Sequence, residues 1–156
     1  MSWLASPLHS RQMLTHIFIS RRMKAALLSL LLAASNLGAE PTPEKAAEAA
    51  ASKWLALVDA GKSAESWQAL AAAPRAAIGQ WKWKFGFAMA QREFGAFRDR
   101  KLRSAEFTTK SPGGRSGEFV LLQYDTTSTK KGAVVEKLTT MRDTDGEWRV
   151  ASYTAE

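Results

Sequence analysis

The sequence predicts an α+β fold in which N-terminal helices pack on a curved four-stranded antiparallel sheet. Two observations favour it. Between residues 43 and 94, apolar residues recur mostly at helical spacing, whereas after Gly95 they form short alternating or continuous runs. Turn-forming segments separate these runs, as in an antiparallel meander. Helices first and strands afterwards are typical of the α+β class.

The first predicted helix begins at Thr42, whose hydroxyl can cap it, with Pro43 in the first helical position. Gly61 is expected to end it. Its apolar face consists of Ala47, Ala51, Trp54, Leu55 and Val58. Ser63 is expected to cap a second, shorter helix, which Pro74 interrupts.

Residues 75–94 are open to two interpretations. Residues 81–87 alternate with the period of a strand. Helical spacing is shown by Ile78, Trp81, Phe85, Ala88 and Arg92. Because the alanine-rich flanks favour a helix, we predict a third helix that ends at Gly95. Its aromatic side chains should point to more than one side.

Four strands are predicted after Gly95, over residues 102–109, 118–127, 134–142 and 147–154. In the last strand, alternation places Trp148 and Val150 on one face of the sheet and Tyr153 on the other.

The N-terminal segment has the order of a secretory signal. Lys24 precedes an apolar run at residues 25–34, and small residues follow. The run is about half of the ~20 residues that a membrane span needs. Cleavage near Ala39, or after Ser35, would leave a single periplasmic or secreted domain at 40–156 without a stable membrane anchor. Residues 1–22 are interpreted as an extension upstream of the true start at Met23, or as a long n-region (the charged start of a signal).

Composition excludes several classes of function for residues 40–156. The chain has no Cys, and both of its His residues precede the predicted cleavage site. Disulfides, a thiolate zinc site and a Ser-His-Asp triad are therefore impossible there. We expect no metal and no cofactor.

The excess of positive charge lies partly in the leader. The net charge of +7 falls to about +3 for residues 40–156. A basic stretch at Arg98, Arg100, Lys101 and Arg103 is diluted by acidic neighbours, and an exported protein rarely meets nucleic acid. We therefore expect a solvated strand there and no nucleic-acid partner.

Several motifs resemble the bacterial exported family known as domain of unknown function 4019. They are residues 54–61, Ser66-Trp67, Trp81, Gly95, Arg100-Lys101-Leu102, Gln123-Tyr124-Asp125-Thr126 and Asp145-Gly146-Glu147-Trp148-Arg149-Val150. The resemblance covers nearly all of residues 40–156, although residues 82–85 depart from the family's aliphatic pattern. It implies an NTF2-like or cystatin-like cone, which is a curved sheet wrapped around helices. It implies no activity, because such folds host many functions.

Aromatic residues are the candidate binding residues. Trp54, Trp67, Trp81 and Trp148 lie at positions expected to face the core, whereas Trp83, between two lysines, is the least core-like. Trp83 is the candidate for an exposed contact with a partner or a membrane surface. The candidate ligand-binding residues are Trp54, Trp67, Trp81, Tyr124 and Tyr153.

Three hypotheses for the function follow. The leading one is a non-enzymatic domain that binds a small apolar ligand, a peptide or a partner protein in or around an aromatic-lined cone. The second is a His-free isomerase or lyase that uses a buried carboxylate within hydrogen-bond reach of Tyr124 or Tyr153. The third is an envelope interaction protein without a pocket, dimeric through the outer face of its sheet.

Overall fold

The computed structural model describes residues 40–156, so the predicted leader and upstream extension lie outside the described residues. The described part contains α1 Pro43–Asp59, α2 Ser63–Gln68, α3 Ala72–Ile78, α4 Gln80–Phe94, β1 Phe97–Lys110, β2 Ser116–Ser128, β3 Gly132–Arg142 and β4 Trp148–Ala155. The strands pair antiparallel in the order β1-β2-β3-β4. The predicted α+β class and the four-stranded sheet are confirmed.

Most helices begin and end where local sequence directs them, but Ser63 is the first residue of α2 and not its cap, which is Lys62. The hydroxyl of Thr42 accepts a hydrogen bond from the Lys45 N–H at 3.4 Å, which caps α1 as predicted. Residues 81–87 are helical, as predicted, within α4. Gly79 and Gly95 precede and follow α4 with φ of 67° and 71°, a backbone conformation that favours glycine. None of the described helices is long and apolar enough to cross a membrane.

The expectation that Pro74 interrupts a helix is wrong. Pro74 lies in the first turn of α3. Backbone N–H groups in the first turn have no acceptor within the helix, so a proline there removes no helical hydrogen bond. The helices break before it, at Leu70 and Ala71, because these residues attach to the sheet. Leu70 forms an isolated bridge with Val150, and the Ala71 N–H donates to the Val150 carbonyl at 2.9 Å.

The core lies between α1 and one face of the sheet. Its buried apolar residues are Ala47, Ala51, Trp54, Leu55, Val58, Leu70, Val120, Leu122, Tyr124, Leu138 and Val150. The predicted apolar face of α1 is buried in full. The inner side of α4 also packs against this core, through Trp83 and Phe87.

Two of the four register shifts in the sheet bear on the side chains that face the helices. In β4, Ser152 pairs with Thr139 but Val150 pairs with Thr140, so one extra residue lies between them. This bulge returns Tyr153 to the face of Val150. The expectation that they lie on opposite faces is therefore wrong. A second bulge in β1, between Arg98 and Lys101, contains Asp99 with a φ of 55°.

Candidate ligand-binding cleft

An aromatic cleft of about 650 Å³ lies between α1, α4 and the neighbouring ends of β1 and β4. Its apolar walls include Trp54, Val58, Trp83, Phe87, Phe94 and Tyr153. Asp59, Lys82 and Gln91 contribute polar groups. A volume of this size is typical of sites for small molecules, which combine mainly apolar walls with a few polar groups.

Trp54 is the centre of the aromatic wall. Its ring centroid lies 5.8 Å from that of Trp83 and 5.3 Å from that of Tyr153, in edge-on and tilted geometries. Such arrangements are favourable for aromatic pairs. The three rings come from α1, α4 and β4, so they form a wall only in the folded chain.

Ser66 fixes the two indoles of this wall. The Trp54 Nε1–H donates to the Ser66 carbonyl at 2.9 Å, and the Trp83 Nε1–H donates to the Ser66 hydroxyl at 3.1 Å. Ser66 is fully buried, and its hydroxyl donates in turn to the Ser63 carbonyl. Because both indole donors are satisfied, the rings are held in place without needing a ligand.

A buried charged network supports the cleft from the sheet side. Glu136 has no exposed surface, and its two carboxylate oxygens accept four hydrogen bonds. Arg100 donates two, at 2.6 and 3.0 Å; Thr126 donates one at 2.6 Å and Tyr153 one at 2.7 Å. The network therefore joins all four strands of the sheet and fixes Tyr153 in the cleft wall.

Arg100 extends the network to α1. Its guanidinium also donates to both carboxylate oxygens of Asp59, at 2.9 and 3.1 Å. Burial opposes the charge of Arg100, but the hydrogen bonds to Asp59 and Glu136 outweigh burial and raise the pKa of the guanidinium. Burial and the neighbouring charge of Glu136 raise the pKa of the Tyr153 hydroxyl well above its usual range. Tyr153 is thus a neutral hydrogen-bond donor at any physiological pH.

The structure brings together two of the five predicted binding residues, Trp54 and Tyr153. Trp67 packs against the core, and its Nε1–H has no hydrogen-bond partner among the described residues. Tyr124 is buried in the core, and its hydroxyl is equally unpartnered within residues 40–156. Trp81 is 75% exposed on the far side of α4, so the expectation that it faces the core is wrong.

The predictions for Trp83 and Arg100 are wrong. Trp83 was the candidate for an exposed contact, but its indole packs on the core and lines the cleft. Arg100 was expected on a solvated strand, but its side chain is 18% exposed and pairs with a fully buried carboxylate. Glu136 itself was missed. It stands between Val134 and Leu138 at alternating buried positions, and that pattern could have indicated a buried acid in need of a partner.

A second depression of about 700 Å³ lies between the start of α1 and the β3–β4 hairpin. Its lining mixes small apolar residues with charged ones, among them Glu118, Arg142 and Glu147. Glu118 and Arg142 pair with each other at 3.1 Å. The aromatic cleft is therefore the better candidate for a ligand site.

Together, these features define a small α+β domain with an aromatic cleft between its helices and its sheet. The chain belongs to the family described as proteins of unknown function, DUF4019, whose model matches residues 50–153. This match confirms the family resemblance of the motifs. A comparison with curated proteins finds no match.

Proposed function

We propose that this protein is an exported binding domain that holds one small, apolar, ring-bearing molecule in the aromatic cleft. The observation that carries the proposal is the preformed wall of Trp54, Trp83 and Tyr153 beside an open space of about 650 Å³. Aromatic side chains bury a large apolar area of a ligand, and fixed side chains lose little freedom when a ligand enters. We also propose that the fold is an NTF2-like cone, because helices that pack on the sheet beside a cleft favour this fold.

The alternative of a His-free isomerase or lyase has one supporting observation, the hydrogen bond from Tyr153 to Glu136 at 2.7 Å. However, each oxygen of Glu136 already accepts two hydrogen bonds, and no part of the side chain is exposed. Asp59 reaches the cleft but is engaged by Arg100 on both oxygens. Glu136 has no free lone pair, and Asp59 is oriented by Arg100 rather than by Tyr124 or Tyr153, so the arrangement favours binding.

The binding proposal is tested with N-phenyl-1-naphthylamine, a neutral aromatic dye that fluoresces in apolar surroundings. We expect the protein to bind one dye molecule saturably. Gly86 lines the cleft, and a Cβ there would meet nothing within 4 Å. The Gly86→Leu side chain should occupy part of the cleft and weaken dye binding about tenfold or more.

Ala88→Leu is the matched control, because Ala88 is exposed on the same helix and does not line the cleft. This variant should bind the dye within about twofold of the unsubstituted protein. Circular dichroism checks that both variants remain folded. Equal dye binding by the Gly86→Leu variant, or no saturable binding by the unsubstituted protein, would contradict the proposal.

The export part of the proposal rests on the predicted signal at residues 23–39. It is tested by the intact mass of the protein recovered from the envelope of its host. A chain beginning at Glu40 or Asn36 is expected. A mass that includes the apolar run at 25–34 would refute cleavage at either predicted site.

A further inference from the structure

Helix α4 has two apolar faces, and only one is covered. The inner face, with Trp83 and Phe87, packs against the core. The outer face, called here the outer stripe, consists of Ile78 just before the helix and Trp81, Phe85 and Met89 within it. Their exposed fractions are 38%, 75%, 59% and 49%. Clusters of exposed large apolar side chains are uncommon on monomeric proteins and mark interaction surfaces.

The two aromatic rings of the outer stripe are arranged as one flat surface. Trp81 and Phe85 are one helical turn apart and stack with centroids 5.8 Å apart and an angle of 6° between their planes. Tryptophan and phenylalanine on one side of a helix are typical of helices that lie in the interface of a lipid bilayer.

Positive charge surrounds the outer stripe. With about 100° per residue, Lys82 and Lys84 lie on opposite sides of the line through Trp81 and Phe85, and Arg92 lies close to that line. None of these three cations forms a salt bridge within residues 40–156. The single acid of the helix, Glu93, is paired with Lys131 at 3.1 Å.

The charges around the outer stripe indicate which kind of partner binds there. In a symmetric dimer through the outer stripe, Lys82, Lys84 and Arg92 of one copy would meet the same cations of the other. An anionic bilayer instead offers an apolar interior to the rings and phosphate groups to the cations. Each lysine or arginine near an anionic surface strengthens binding about fivefold.

We propose that the outer stripe of α4 docks peripherally on anionic phospholipid bilayers, with Trp81 and Phe85 inserted at the level of the headgroups. The helix lies parallel to the bilayer surface. This docking is a property of the outer face of α4 and does not depend on ligand binding in the cleft. It is reversible, and salt weakens it.

The absence of Cys allows a local test in the full chain. Met89→Cys, labelled with the environment-sensitive dye NBD, reports on the outer stripe, and Thr109→Cys on β1 is the matched exposed control. Vesicles of phosphatidylcholine with phosphatidylglycerol should shift the emission at position 89 to the blue. The emission at position 109, and at either position with phosphatidylcholine alone, should not change.

Two further variants separate the contributions of the rings and the charges. In the Met89→Cys background, Trp81→Ala with Phe85→Ala should remove the blue shift. Lys82→Gln with Lys84→Gln should weaken vesicle binding about 25-fold, from about fivefold per lysine. Far-ultraviolet circular dichroism should remain unchanged, because these side chains are largely exposed.

Three results would overturn the proposal. A label at position 89 that stays water-exposed on anionic vesicles would show that another part of the chain binds them. An equal shift with phosphatidylcholine alone would remove the role of the cations. A blue shift that grows with protein concentration in the absence of vesicles would assign the outer stripe to a second copy of the chain.

Discussion

Replacing Glu136 by Gln tests whether the buried carboxylate holds the sheet to α1. Glutamine keeps the shape but changes one acceptor oxygen into an NH₂ donor. Arg100 donates to both oxygens of Glu136, and a guanidinium cannot accept a hydrogen bond. In either orientation of the amide, two donors therefore face each other. We expect Glu136→Gln to lower the free energy of unfolding by about 3–5 kcal/mol, the cost of breaking a buried ion pair from one side.

Variants of the residues around Glu136 and Arg100 show how much each interaction contributes to the free energy of unfolding. Tyr153→Phe and Thr126→Val each remove one hydrogen bond to the carboxylate and keep the ion pair, so each should cost about 1.5–3 kcal/mol. Asp59→Asn changes the more exposed arm of the network and should cost about 0–1 kcal/mol. The assay is urea unfolding followed by far-ultraviolet circular dichroism, which does not depend on the fluorescence of the neighbouring Trp54.

The order of these losses tests whether Glu136 holds the network together. A typical domain is stable by about 5–15 kcal/mol, so the loss expected for Glu136→Gln is well within the measurable range. If this variant unfolds within about 1 kcal/mol of the unsubstituted protein, or if Asp59→Asn costs as much, Glu136 does not hold the network. If Glu136→Gln fails to fold, the other variants still test the prediction, because Tyr153→Phe should lose more unfolding free energy than Asp59→Asn.

Three further predictions concern stability. Gly86→Ala should raise the free energy of unfolding by about 0.5–1 kcal/mol in thermal melts, because the added methyl meets nothing and glycine weakens a helix; a loss would show that the cleft is narrower there. Tyr124→Phe removes a buried hydroxyl that has no hydrogen-bond partner within residues 40–156, so urea unfolding should show no loss of stability, unlike the loss for Tyr153→Phe. Hydrogen bonds from Arg149 lower the pKa of Asp145 to about 2, from a usual value of 3.8. A carboxyl group whose pKa is lowered by folding stabilises the fold at pH values above its pKa in the unfolded chain, which is 3.8 here. This contribution is lost as the pH falls toward 2. Asp145→Asn should therefore reduce the loss of stability between about pH 4 and pH 2, and an unchanged acid titration would contradict this assignment.

Local sequence was sufficient to predict most of the elements, because caps, glycines and apolar spacing are local signals. The helix at 81–87 is an example. Its alternation is typical of a strand, but the residues on both sides have helical spacing, and the longer pattern prevails. The predicted strands are correct except at their ends: β1 begins at Phe97 rather than at residue 102, and the other ends differ by at most two residues. The position of Tyr153 was not predictable in this way, since the bulge beside Thr139 arises from pairing between two strands.

The choice between the two apolar faces of α4 also required tertiary contacts. Trp81 with Phe85 and Trp83 with Phe87 have the same helical spacing, so periodicity cannot tell which pair faces the core. What distinguishes Trp83 is the Ser66 hydroxyl that accepts its indole N–H, from a residue 17 positions earlier in the chain. No local pattern contains that partner.

The same limit applies to the charged network. Alternation in β3 places Glu136 among buried residues, but its partner Arg100 is 36 positions away and lies in the bulge of β1. A run of basic residues gave no sign that one of them is buried. The cleft could thus be predicted as a class of site, from the excess of aromatic residues, but not as a set of side chains.

The two proposed surfaces of α4 meet at one edge. Ile78 and Lys82 line the aromatic cleft, while Ile78 also belongs to the outer stripe and Lys82 to its positive flank. If α4 docks on a bilayer through the outer stripe, this edge of the cleft lies next to the headgroups, and an apolar ligand can pass between lipid and cleft with little exposure to water. The two properties still separate by mutation, because Gly86 contacts only the cleft side and Trp81 only the outer side. Gly86→Leu should therefore dock on anionic vesicles without binding the dye, whereas Trp81→Ala with Phe85→Ala should bind the dye without docking. Loss of both properties in either variant would mean that α4 presents one binding surface rather than two.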